Sequence, residues 1–386
     1  MKGVEKSWLT SQLVVVLLSQ TLYSSVLLFC NVSLFVKQEK LVEYVGIILA
    51  IRTISSGIFV LIGGNLSSRF GAKRVLLVSM LGAIPSFLAV GFSQTIVQFV
   101  VVQVLSGSMN GLVVASFAIL VSQAVSQKGN NQRRAFGASI TTQVFFIPCA
   151  AVGGWIQSPE NRSMWLIVIS ICLSCSWFCG CFIRKSQTQV TLPFWKLIDL
   201  KIVKVVYPIG ISYGMLLIIY AYLPIETDWR YGWIQGITIF TSALMGIILP
   251  RWVEAKQDRN DYSLIRMGYG ALISCPTLLI MVPVIPGVIY GLQVGYLLAG
   301  VALGIAVTAS VTGFRTLSQL QVTEEQKKVS ITTTTVTADA GVIVPMAYNL
   351  LLGGWIGGNN PNFQVVWGSM IVLCFIPFLL VLRKRL

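Results

Sequence analysis

The feature that most constrains this chain is a recurrence of apolar runs, each of roughly 18 or more residues, from one end to the other. Each is long enough to cross a hydrocarbon core of about 30 Å. In lipid the backbone must satisfy its own hydrogen bonds, so such runs are helices or strands of a closed barrel. Alternating strand patterns are absent, which leaves helices. The runs place spans at 10–36, 41–66, 75–94, 96–124, 135–156, 164–183, 206–224, 232–250, 264–284, 287–314, 330–355 and 364–382. Composition agrees: only 11% of residues are charged and 55% are hydrophobic, whereas a soluble domain carries about 25% charged residues. The expected fold class is an all-α integral membrane protein of twelve transmembrane helices.

A net charge of +15 invites a nucleic-acid reading. A nucleic-acid binder gathers its cations on one face or helix, whereas here they fall in short clusters between apolar runs, as the positive-inside rule produces. With both termini placed in the cytoplasm, 23 of the 28 Lys and Arg residues lie inside or at the inner ends of spans. Lys37, Lys40, Arg162 and Arg230 fall outside, and Arg52 falls within a span. The expectation is therefore a multi-pass protein of the cell membrane with both termini cytoplasmic, partnered by lipid and not by nucleic acid. Lys2 and Lys6 before an apolar stretch resemble a signal peptide, but the stretch is too long for an h-region and no small-x-small site follows; it reads as the first span. Cys172, Cys175, Cys179 and Cys181 lie close together in one span, yet the chain has no histidine. Cysteine as a small membrane-compatible hydrophobe is the favoured reading, with no metal and no disulfide framework.

The longest connection, 184–205, falls at the midpoint with Pro193 and five basic residues, and divides the chain into a six-helix bundle at 1–183 and another at 206–386. Its piece Pro193–Lys201 is amphipathic and reads either as an interfacial helix or as a solvated linker. An internal echo supports duplication: Gly153-Gly154-Trp155-Ile156 recurs as Gly353-Gly354-Trp355-Ile356 at the end of span eleven. Upstream, Ser139-Ile-Thr-Thr matches Ser330-Ile-Thr-Thr at a different offset, 191 residues rather than 200.

Between spans two and three stands Gly64-Asn-Leu66-Ser-Ser68-Arg69-Phe70-Gly71-Ala72-Lys73-Arg74. It resembles the signature loop of the major facilitator superfamily, G-x-L-x-D-R-x-G-R-R/K, matching at Gly64, Leu66, Arg69, Gly71 and Lys73. Glycine permits the tight turn, and the cations, with Arg74, suit helix C-termini and anionic lipid. The family's acid is replaced by Ser68 and its second base by Ala72. Span four carries Gln103-Val-Leu-Ser-Gly107-Ser-Met-Asn-Gly111-Leu-Val-Val-Ala115, with Gln103 where the family has arginine. Span five ends Pro148-Cys-Ala-Ala-Val-Gly153-Gly154, similar to the G-P-x-x-G-G element of family exporters with the proline two residues early. These small residues serve either close helix packing or transport direction.

Ionisable groups deep in a span are costly, so they are functional candidates by default. Arg52 in span two lies roughly 16 Å, and Asp339 in span eleven roughly 22 Å, below the outer ends of their helices at about 1.5 Å per residue. The resemblance sets spans two and eleven side by side. Three arrangements fit: a conformation-dependent Arg52–Asp339 pair; Arg52 facing an anionic substrate group while Asp339 carries protons; or structural partners within each half. Polar residues mark the expected path: Gln20, Thr21, Ser24, Ser25 and Asn31 in span one, Gln103 and Asn110 in span four, and Tyr207, Tyr213 and Tyr220 in span seven. The resemblance implies a monomeric secondary transporter, driven by protons and working by alternating access between the bundles. No GxxxxGK-S/T loop is present to bind ATP, and no cofactor or enzyme chemistry is called for. Efflux of a small organic solute is the leading reading, import of an anionic or zwitterionic metabolite the alternative, and a non-transporting receptor the reading from another class.

Overall fold

A computed structural model describes residues 11–124, 138, 153, 155–184, 198–255, 261–289, 291–320, 333, 336, 337, 340 and 361–383. Its helices are α1 (Ser11–Phe29), α2 (Val32–Gln38), α3 (Val45–Phe70), α4 (Ala72–Val90), α5 (Ile96–Ala124) and α6 (Arg162–Cys181). Beyond the linker come α7 (Leu200–Thr227), α8 (Tyr231–Ala255), α9 (Asp261–Ile280), α10 (Val294–Leu320) and α11 (Phe363–Arg383). The architecture is all-α, and every expected span except the fifth and eleventh is represented. Most of those two, with Asp339, the Gly353–Ile356 echo and most of the linker, falls outside the described residues. Among the described residues, six stretches are long and apolar enough to cross a membrane by length and composition: Val42–Phe70, Ala72–Val90, Ile96–Val121, Arg162–Cys181, Tyr231–Trp252 and Ser263–Ile280. Their outward faces are apolar as well, with Ile167, Ile171 and Phe178 of α6 exposed, as helices surrounded by lipid require.

Three boundaries differ from expectation, each for a local reason. The first span is two helices, not one. Asn31 takes an extended conformation (φ −82°, ψ 100°) and its side chain accepts from the Ser33 amide, capping a new helix, α2. Span seven begins earlier, because Asp199 accepts from the Lys201 amide at 2.8 Å and caps α7 at Leu200. Span ten begins later: Gly287 (φ +108°) and Gly291 (φ +74°) shape a two-residue hairpin of β1 (Val288–Ile289) and β2 (Leu292–Gln293) ahead of α10.

Among the described helices, those before the linker pack chiefly on one another, as do those after it, while α2 and α3 reach α7 across the division. One device recurs in both groups. On α5, Gly107 and Gly111 lie so close to α3 that an added Cβ would stand 2.2 Å from the Arg52 carbonyl oxygen and 2.3 Å from that of Ser56. On α10, a Cβ at Gly300 or Gly304 would stand 2.9 Å from the Ile234 and 2.6 Å from the Thr238 carbonyl oxygen of α8. Small residues one turn apart let backbones approach where lipid supplies no hydrophobic drive to association. The α8–α10 seam is also hydrogen-bonded: Thr238 Oγ1 donates to the Gly300 carbonyl (3.1 Å), Ser242 Oγ to that of Gly304 (3.2 Å), and Thr308 Oγ1 to that of Ser242 (3.3 Å). The Gly107–Ala115 pattern is thus helix packing in the structure.

Candidate functional site

Where α1, α2, α3 and α5 meet α7 and α8, they enclose a cavity of about 340 Å³. Thr21, Ser24 and Ser25 of α1 line it, as do Asn31 at the helix break and Ser33 of α2. Arg52, Thr53 and Ser56 of α3 and Asn110 of α5 complete that wall. The facing wall is built by Tyr213 and Tyr220 of α7 with Tyr231 and Gln235 of α8. A polar cavity inside an apolar bundle is expensive to build, so its composition carries information.

Arg52 is the one charge among the described lining residues. Its guanidinium carbon lies 5.3 Å from the centroid of the Phe87 ring, a cation–π contact worth about 0.5–2 kcal/mol depending on desolvation. Phe87 is fully buried, and Tyr23 meets it edge-on at 6.2 Å and 77°. Tyr23 Oη donates to Asn110 Oδ1 at 3.3 Å, and Asn110 Nδ2 donates to Ser56 Oγ at 3.3 Å. One aromatic pair thereby seats the guanidinium and orients the amide. Among the described residues, no carboxylate stands within ion-pairing distance of Arg52.

Of the residues expected on the path, the structure gathers Ser24, Arg52, Asn110 and Tyr213 in the cavity, with Thr21, Ser25, Asn31 and Tyr220. Gln20 and Gln103 are not among the lining residues. The Gln20 Oε1 atom and both side-chain polar atoms of Gln103 are buried, with no hydrogen-bond partner among the described residues. Gln103 is fully buried, one turn before Gly107 in the α3–α5 seam region. Sequence reasoning missed Ser33, Thr53, Ser56, Tyr231 and Gln235. One carried a signal: Ser56 stands four residues after Arg52, and residues four apart share a helix face. Tyr231 and Gln235 have the same four-residue spacing on α8.

The Gly64–Arg74 loop lies at the opposite end of α3. Gly71 (φ +87°) makes the turn between α3 and α4, in a conformation that an L-residue adopts only with strain. Lys73 Nζ donates to the carbonyl of Cys181, the last residue of α6, at 2.6 Å, placing a cation at a helix C-terminus as expected. Arg69 and Arg74 are exposed and Gly64 is buried. Ser68, standing where the resemblance has an acid, turns back on its own helix and donates to the Gly64 carbonyl at 3.0 Å.

At the other end the two groups of helices are tied together. Lys37 Nζ of α2 donates to the Ile225 carbonyl of α7 (2.7 Å) and pairs with Asp228. Ser33 Oγ donates to the Tyr220 carbonyl (3.3 Å). The base of α2 is held by Gln157, whose Oε1 accepts from the Asn31 amide (2.8 Å) and whose carbonyl accepts from Gln38 Nε2 (2.8 Å). The short helix α2 thus lies against this end of the cavity, with Val32 and Ser33 in its lining. Among the described residues there is no group of His, Cys, Asp or Glu that would hold a metal ion. The described lining offers one cation with hydroxyls, amides and phenols.

Comparison with known proteins agrees with this architecture. The family model described as Major Facilitator Superfamily matches residues 13–345. The crystal structure of the nucleoside transporter NupG is similar with a TM-score of 0.69, 11% identity, and coverage of 97% of this chain and 98% of that one. The human organic anion transporter MFSD10 (TETRAN) is similar at 0.66 and 14%, covering 96% and 97%. At these identities the likeness is one of fold. In sequence, 103 residues are 33% identical to the class H tetracycline resistance protein of Pasteurella multocida, a match over 27% of this chain and 25% of that protein. The chain therefore aligns with only about a quarter of that curated relative's length.

Proposed function

The chain belongs to the major facilitator superfamily, and on that premise we propose that it exports a small organic solute by alternating access, in exchange for protons. It is a membrane transporter of this family and not an enzyme. The observation that carries the proposal is the cavity, whose wall joins Ser24, Arg52 and Asn110 from before the linker to Tyr213, Tyr220, Tyr231 and Gln235 from after it. A site shared by two bundles is the site that rocking one bundle against the other opens to one side and then the other. In this reading residues 1–183 and 206–386 are the moving bodies. The contacts of α2 with α7 hold the outer side shut, and the Gly64–Arg74 loop steadies the cytoplasmic side. Asp339 is the carboxylate that exchanges protons. The partial Pro148–Gly154 element and the similarity to a drug-resistance protein support efflux.

The test is accumulation in everted membrane vesicles whose lumen is acidified, with a panel of organic anions, nucleosides and tetracycline. Solute should accumulate against its gradient and stop when the proton gradient is collapsed, and Asp339→Asn should abolish accumulation. Flux that ignores the gradient would remove proton coupling. Accumulation only in right-side-out vesicles would reverse the direction.

A further inference from the structure

We propose that the solute is a planar aromatic monocarboxylate, its carboxylate on Arg52 and its ring against the tyrosines of α7 and α8. This deepens the transport reading and rests on it only for the step of movement, since binding is tested separately.

Charge is the first argument. Arg52 is the one charge among the described lining residues. A cation in a low-dielectric cavity favours an anion and repels a second cation. A single planar fork matches a carboxylate through two parallel hydrogen bonds, whereas a phosphate dianion would leave one charge uncompensated. The hydroxyls of Ser24 and Ser56 share the cavity and offer further donors to the carboxylate oxygens.

The facing wall is the second argument. Tyr213, Tyr220 and Tyr231 line it, and tyrosine presents a flat apolar face with a polar tip. Three such faces suit a planar ring better than a sugar or a peptide. Gln235 beside them accommodates a ring substituent that hydrogen-bonds. Size is the third: about 340 Å³ lies near the lower limit of ligand pockets, roughly 300–1,000 Å³, so one or two fused rings fill it. The cation and the rings belong to opposite sides of the linker. A ligand with unlike ends bridges them, so occupancy ties the two groups of helices together.

The experiment is a thermal-shift titration of the detergent-purified protein with 1-naphthoate and benzoate, against 1-naphthamide and benzylammonium as neutral and cationic counterparts of similar shape. The carboxylates should raise the melting temperature saturably, and the amide and the cation should not. Arg52→Gln should abolish the naphthoate shift. Arg52→Lys keeps the charge and serves as the folding control; it should retain the shift with affinity weakened about tenfold, for loss of the bidentate fork. Tyr231→Leu should weaken naphthoate about tenfold and leave cyclohexanecarboxylate nearly unchanged, separating ring recognition from size. Stabilisation by naphthamide equal to that by naphthoate, persistence of the shift in Arg52→Gln, or no shift with any carboxylate at millimolar concentration overturns the proposal. Naphthoate binding with no flux of any solute in vesicles would instead remove the transport reading and leave the site. Flux of neutral or cationic solutes that ignores Arg52 would leave transport and remove the substrate class.

Discussion

Replacing Gly107 by alanine puts two physical effects in opposition. Helix propensity alone favours alanine by at most about 1 kcal/mol. The structure opposes it: the new Cβ would stand 2.2 Å from the Arg52 carbonyl oxygen and 3.0 Å from Ser55 Cβ. An ordinary contact begins near 3.4 Å, so α3 and α5 must part by about 1.2 Å. Their close approach continues at Gly111 and at Gly63, and parting one end loosens the rest. Overpacking costs about 1–3 kcal/mol, and a clash with backbone belongs at the upper end, for a net loss of about 2 kcal/mol once propensity is subtracted. Gly270 of α9 is the control, because nothing lies within 4 Å of a Cβ added there. Gly270→Ala keeps the propensity gain and should be neutral or slightly stabilising. Equilibrium unfolding in mixed detergent, followed by tryptophan fluorescence, measures both. Opposite signs are expected. A Gly107→Ala protein as stable as wild type or as Gly270→Ala would refute the close seam, and with it the placement of Arg52, whose carbonyl forms the contact.

Three further outcomes follow from contacts elsewhere. Glu226 accepts from Tyr296 Oη and Trp367 Nε1, both at 3.0 Å, and so ties α7 to α10 and α11; Glu226→Ala should cost about 3 kcal/mol, since bonds to a charged acceptor are worth roughly 1.5–3 each, and Glu226→Gln should cost less. Lys73→Met removes the cation from the last carbonyl of α6 and should cost about 1 kcal/mol in the same unfolding assay, with Lys73→Arg near neutral. Lys37→Met should change stability by less than about 1 kcal/mol, because the pair with Asp228 is exposed. It should nevertheless speed labelling of Cys30, a residue lining the cavity, by an impermeant maleimide in a protein whose other cysteines are alanine. Unchanged labelling would mean that α2 does not cover the cavity.

Much of this was legible because lipid makes the pattern blunt. The span at 96–124 coincides with α5, and Arg52 stands out because any charge among so many apolar residues must have a use. Legibility failed where a short-range hydrogen bond competes with apolarity. Nothing in the hydropathy of span one marks the break at Asn31, since the residues on both sides remain apolar; the signal is a side-chain acceptor two residues before Ser33. Gln103 failed for the opposite reason. Polarity in a span suggests a path, but the facing direction is set by packing against α3, which a single sequence does not reveal. Tyr231 and Gln235 belong to α8, where aromatic residues read equally well as anchors at the membrane surface.

Spacing carries one further step. Gly300, Gly304 and Thr308 each follow Gly107, Gly111 and Ala115 by 193 residues, and in both places the glycines press one helix onto its parallel neighbour. The shared device is the seam, and the side chains around it have diverged. After the linker, the hydroxyls of Thr238, Ser242 and Thr308 are spent on bonds between α8 and α10. Before it, Ser56 and Asn110 stay at the cavity beside Arg52. A repeated scaffold with unlike walls favours a ligand with unlike ends. Moving the charge should therefore turn the ligand around. Gln235→Arg in an Arg52→Gln background restores one cation on the opposite wall, and in that variant naphthoate binding should return with its dependence on Tyr231 lost. Binding that returns with Tyr231 still required would show that the two walls do not divide the ligand between them.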